Sequence, residues 1–160
     1  MKFDTSSFKG LSFGAVSGAI TTLGMMVGLD AGTNSRVTVM LGVLTISIAD
    51  ALSDALGVHV SEESEKKNDS KIWKSTLSTF VSKLFFALSF LVPLFFFELN
   101  IAIIISVSYG FALIGVVSYL IAKKQGENSN HVIIEHLFIA VIVVIITYFV
   151  GKYFALLNIT

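Results

Sequence analysis

The chain has 160 residues, 54 % of them hydrophobic and only 14 % charged, with a formal net charge of zero and a mean hydropathy of +0.84. A soluble domain carries about 25 % charged residues, so the composition excludes an ordinary soluble enzyme, and the balanced charge points to no nucleic-acid or acidic partner. There is no cysteine, which excludes disulfides and thiolate metal sites.

The apolar residues fall in five long runs. Each approaches or exceeds the roughly 20 residues that cross about 30 Å of hydrocarbon. The start, MKFDTSSFKG, does not read as a cleavable signal peptide, because no small-residue cleavage site follows a short apolar core. The first span runs over about 10–29. The loop DAGTNSR leads to the second, 37–60. A polar loop, 61–76, separates it from the third, 77–97. Glu98-Leu99-Asn100 forms a tight hairpin into the fourth, 101–122, and KKQGENSN leads to the fifth, 131–157. The expected fold is all-α, a single five-span transmembrane domain. The protein is multi-pass, in the cell membrane if the source is prokaryotic.

Basic residues set the orientation. Lys2, Lys9, Lys66, Lys67, Lys71, Lys74, Lys123 and Lys124 share one side, whereas Arg36 and Lys152 are alone on the other. The N-terminus and the 61–76 loop are therefore expected in the cytoplasm. Lys83, inside the third span, is expected near the basic end, snorkelling to the interface.

Gly10, Gly14 and Gly18 repeat every four residues in the first span, and Gly24, Gly28 and Gly32 do so again. Ala49, Ser53 and Gly57 form a similar row in the second. Small residues at this spacing let helix backbones approach closely. The glycines fit either tight packing within one subunit or a homodimer seam along the first helix. The third to fifth spans are nearly free of polar groups and read as scaffold.

The chemistry concentrates in the second span. Asp50 and Asp54 lie one helical turn apart, with Cβ atoms about 5–6 Å apart. An ionisable group at the centre of a spanning helix costs roughly 2.5–3.5 kcal/mol. Two on one face imply an ion or proton path. Carboxylate oxygens suit divalent cations. Two of them this close in a low dielectric do not both ionise readily, so one is expected to hold a proton until a cation displaces it. Ser17, Thr21 and Met25 share a face of the first span at spacing four. They offer two hydroxyls and a thioether to complete a mixed shell for Fe²⁺ or Mn²⁺. Glu62 and Glu65 extend the second helix toward the cytoplasm as an acidic funnel. The bland alternatives are a carboxylate pair satisfied by neighbouring hydroxyls, methionines that simply pack, and a solvated helix end. A D-x-x-x-D pair also occurs in metal-dependent membrane phosphotransferases, but their upstream D-G-x-x-A-R element is missing. No P-loop, zinc-protease helix or nucleophile elbow is present, so the chain is not expected to be an enzyme.

The stretch GAVSGAITTLGMMVGLDAGTNSRVTVMLGVLTISIADALSDALGVHVSEESE, with its small-residue ladders and its end Gly57-Val58-His59-Val60-Ser61-Glu62-Glu63-Ser64-Glu65, resembles the opening of the vacuolar iron transporter family. LSFLVPLFFF, with Pro93, resembles that family's third helix. The resemblance covers most of the chain. It implies a homodimeric Fe²⁺/Mn²⁺ transporter driven by proton exchange, with a metal path between the first two helices at the dimer interface. It needs no resident cofactor, since metal and protons are cargo and coupling ion. The chain departs from the family pattern at specific places. The family's first-span acid falls on Ser17, its second-span glutamate on Ile46 and its second-span methionine on Asp54. The loop 61–76 is too short for the cytoplasmic metal-binding helices of some members. The acidic ligands are thus expected at Asp50 and Asp54, in a proton-coupled exporter. The alternative from another class is a non-transporting assembly or sensing subunit.

Overall fold

The computed structural model describes residues 5–157, so Lys2 lies outside the described residues. They form α1 (Thr5–Thr33), α2 (Arg36–Ser64), α3 (Asp69–Ser89), α4 (Leu91–Phe96), α5 (Leu99–Gln125) and α6 (Ser129–Leu156), with no strand among them. Five stretches are long and apolar enough to cross a membrane, α3 and α4 together making the third, Asp69–Phe96. The chain is an all-α, multi-pass membrane protein.

The α3–α4 break has a local cause. Pro93 has no N–H to give the carbonyl of Ser89, and its ring crowds that turn. The chain answers with a tighter turn, in which the Phe90 N–H bonds the Ala87 carbonyl at 3.2 Å. The other boundaries carry ordinary stop signals. Ser35 and Asn68 cap α2 and α3 through their side chains, satisfying first-turn N–H groups. Gly126 ends α5 at φ +74°, the left-handed conformation that suits glycine.

The helices outrun the apolar runs. Ser61–Ser64 belong to α2 and Asp69–Thr76 to α3, so the expected 61–76 loop contracts to the four residues Glu65–Asn68. Hydropathy reports which residues prefer hydrocarbon, whereas a helix continues until a cap stops it.

Helix α1 is central, touching α2, α3, α5 and α6. Its glycines explain how. A Cβ on Gly14 would stand 2.6 Å from the Thr79 carbonyl oxygen of α3, and one on Gly151 of α6 would stand 2.1 Å from the Gly28 carbonyl oxygen. Gly10, Gly14 and Gly18 therefore seat α3, and Gly24, Gly28 and Gly32 seat α6. The six-residue step from Gly18 to Gly24 turns the helix by about 600°, which moves the second row to another face. Of the two readings of this ladder, the structure uses packing within the subunit. The row Ala49, Ser53 and Gly57 on α2 faces outward, and a Cβ on Gly57 would meet nothing within 4 Å. Helix α6 is the most peripheral, with only Val132, Ala140 and Gly151 buried.

Candidate ion site

Asp50 and Asp54 flank the buried stripe of α2, which runs through Val43, Ser47, Ala51 and Ala55. They stand at its edge, with side chains 22 % and 23 % exposed. What they face is Lys83 of α3. The expectation that Lys83 snorkels is overturned: its side chain is 1 % exposed, and it stands at the middle of the 28-residue span Asp69–Phe96. A lysine that deep cannot reach the interface, so its ammonium turns to the nearest anions.

The Lys83 ammonium donates to Asp54 Oδ2 and, at 2.9 Å, to Ser17 Oγ. It lies 2.6 Å from Asp50 Oδ2, a close ion pair that lacks hydrogen-bond alignment, so that oxygen has no hydrogen-bond partner. Ser17 Oγ donates in turn to Asp54 Oδ2 at 2.7 Å. Three helices thus meet at one charged knot. The close approach of α3 makes it possible, since a Cβ on Gly18 would stand 3.1 Å from the Lys83 carbonyl oxygen. Two carboxylates and one ammonium leave a formal charge of −1 in the middle of the bundle. The third span therefore supplies the base of this network, which corrects its reading as a scaffold without polar contacts.

The other expected ligands are placed elsewhere. The Thr21 hydroxyl donates to the Ser17 backbone carbonyl at 2.9 Å. Met25 packs on α2 at Gly42, where a Cβ would stand 2.9 Å from its sulfur. Gly42 is two turns from Asp50, about 12 Å along the helix. Glu62 is 1 % exposed and is held by Lys9 and, at 2.8 Å, by Lys67. Glu65 pairs with the same Lys67 at 2.7 Å. The hydrogen bonds that Lys67 donates to Glu62 and then to Glu65 raise its pKa above the ordinary value. Both glutamates are therefore already matched by lysines. His59 Nδ1 lies 3.2 Å from Thr76 Oγ1, with its ring edge-on to Trp73. Among the described residues no three His, Asp or Glu side chains gather as a metal site; a cation at the pair would find the carboxylates of Asp50 and Asp54 and, bonded to Asp54, the Ser17 hydroxyl.

A groove of about 600 Å³ reaches Asp54 from the lysine-rich end, lined by Lys9, Phe13, Ser53, Asp54, Gly57, Val58 and Ser61. The bare Gly57 keeps it open. A second groove, of about 640 Å³, lies between α1 and α6 toward the far end and includes Thr21 and Met25 in its wall.

The structure brings both aspartates and Ser17 together, as the sequence groups them, and adds Lys83, which the sequence reading left out of the group. The available signal was charge balance: the middle thirds of the five spans hold two acids and a single base, and buried charges are paired. The fold and site define a class, a helical multi-pass membrane protein with an internal Asp–Asp–Lys network. No family model, curated protein or solved structure matches the chain. The likeness to vacuolar iron transporters accordingly rests on its sequence patterns alone.

Proposed function

We propose that the protein is a cation transporter that exchanges a divalent metal, Fe²⁺ or Mn²⁺, for protons and moves it out of the cytoplasm. The observation that carries this reading is the mid-membrane Asp50–Asp54–Lys83 network with a groove leading to it. Ionisable side chains at this depth are expensive and mark ion or proton paths. A cation entering the groove meets Asp54 first. It competes there with the Lys83 ammonium, which acts as a tethered stand-in for the cargo when the site is empty. The formal −1 of the knot leaves room for one further positive charge, a proton or part of the metal's charge. Loading a metal displaces the proton and pushes Lys83 aside, and release restores both. Ser17 Oγ supplies a neutral oxygen beside Asp54.

A second copy of the chain set against the outward Ala49–Ser53–Gly57 face would cover the groove and shield its polar wall from lipid. That homodimer agrees with the family resemblance. The phosphotransferase alternative is disfavoured, since the chain lacks the D-G-x-x-A-R element that such enzymes carry upstream of the aspartate pair. A specific observation favours the non-transporting alternative. Lys83 is buried with three partners, as in a network that only fixes helix packing.

Proteoliposomes separate the two. With an imposed pH gradient, the wild type is expected to take up Mn²⁺ or Fe²⁺. Asp50→Asn and Asp54→Asn are each expected to abolish uptake while still inserting and folding. Wild-type liposomes with neither flux nor metal binding would leave the non-transporting role as the correct one.

A further inference from the structure

We infer that the lysine-rich end of the protein carries a binding groove for an anionic phospholipid, which does not rest on the proposed function and shares only Lys9 and Phe13 with the groove that leads to Asp54. A groove of about 570 Å³ runs between α1, α5 and α6. Its wall includes Lys9, Phe13, Val16, Ile121, Lys124 and His136. Three features select the occupant.

The first is depth. From Thr5, at the start of α1, to Val16 is eleven residues, about 16 Å along a helix. Half of a bilayer's hydrocarbon core is about 15 Å. The groove therefore runs from the headgroup level to the middle of the bilayer, the length of a single acyl chain. A soluble ligand would have to cross the headgroups to fill its lower part, whereas a lipid is already there.

The second is the distribution of polarity. Phe13, Val16 and Ile121 form the floor. The upper rim gathers Thr5, Lys9, Lys124 and Gln125, from the first turns of α1 and the last turn of α5. This is an amphiphile's own pattern, with charged groups at one end and a mainly apolar slot below, into which only Ser12 and His136 bring polar atoms.

The third is charge. Among the described residues, no acidic side chain lines the groove. Lys9 is committed to Glu62. The Lys124 ammonium is held 3.6 Å from the centroid of the Phe8 ring, a cation–π contact that fixes it over the rim without neutralising it. His136 is tied through Nδ1 to Ser118 Oγ at 2.8 Å, which sets its ring against the groove wall. A phosphate headgroup with net negative charge is complementary to this rim, and a zwitterionic one is less so. A lysine near an anionic membrane surface is worth about a fivefold preference.

The test uses the full chain, purified in detergent and mixed with equal amounts of phosphatidylglycerol and phosphatidylcholine of matched chain length. Native mass spectrometry reads the retained lipid. The wild type should keep phosphatidylglycerol about fivefold over phosphatidylcholine. Lys124→Gln, at an exposed position, should bring that ratio close to one. Val16→Phe, which fills the slot, should lower retention of both lipids. Lys71→Gln, outside the groove, should change nothing. Equal retention by the wild type would overturn the site. So would a preference that survives Lys124→Gln, or one lost equally in Lys71→Gln, which would mark a diffuse basic surface.

Discussion

The molecule contains two acid–lysine networks, and they differ in what surrounds them. At the lysine-rich end, Glu62 and Glu65 are matched by Lys9 and Lys67. In the middle of the bundle, Asp50 and Asp54 share the single Lys83. The first network sits where helices emerge toward water, so a lysine lost there leaves a carboxylate that solvent can reach after a small movement. The second lies at the middle of its spans, where the Lys83 side chain is 1 % exposed and an unpaired charge is costly. The first network is formally balanced, with two acids and two lysines, whereas the second is one positive charge short. Similar side chains thus form a charge-balanced clasp in one place and a charge-deficient network in the other.

The largest expected break of this contrast is Lys83→Met. Removing one partner of a buried charge network costs about 3–5 kcal/mol. The variant should lose that much in denaturant or thermal unfolding in detergent, and Asp54→Asn in the same chain should recover part of it, since the two sites are coupled. Next is Gly14→Ala. Its Cβ would press on the Thr79 carbonyl oxygen of α3, and overpacking of this kind costs about 1–3 kcal/mol. It should weaken the ion knot indirectly and leave the Glu62 clasp intact, which cysteine accessibility at the two ends can compare. Ser17→Ala removes the hydroxyl between Lys83 and Asp54 and should cost about 1–2 kcal/mol in the same unfolding assay.

The smallest effect belongs to the clasp, and pH reads it. The Lys67 pKa is raised from 10.5 by its bonds to Glu62 and Glu65. A raised lysine pKa contributes stability that is fully present below the unfolded value and is lost as pH rises through the folded one. Amide exchange in Glu65–Asn68 should therefore show no loss of protection from this lysine up to about pH 10 and should accelerate above 10.5. Exchange in the Asp50–Asp54 turn should not follow the same step.

Much of the fold was legible because hydrocarbon imposes a length. Five apolar runs became five spans, and the contrast of lysine-rich and lysine-poor loops fell at opposite ends of the helices. The helix ends were less legible, since Ser61–Ser64 and Asp69–Thr76 are polar yet helical, held by caps and not by hydropathy. The aspartates stood out because their placement is costly. Lys83 did not, because the sequence shows that Gly14 and Gly18 permit a close neighbour without saying which helix it is. Thr21 and Met25 were grouped with Ser17 by their spacing of four. Each four-residue step drifts about 40° around a helix. By Met25 the drift reaches about 80°, enough to carry its sulfur to Gly42 and away from the carboxylates.

The central claim is that Asp50 and Asp54 hold the transported cation once Lys83 gives way. Anomalous diffraction from crystals soaked in Mn²⁺ tests it most directly. A peak is expected between the two carboxylates, near Ser17 Oγ, with the Lys83 ammonium moved off Asp54. An undisturbed Lys83–Asp54 pair in a crystal with Mn²⁺ bound elsewhere, or not bound at all, would contradict it.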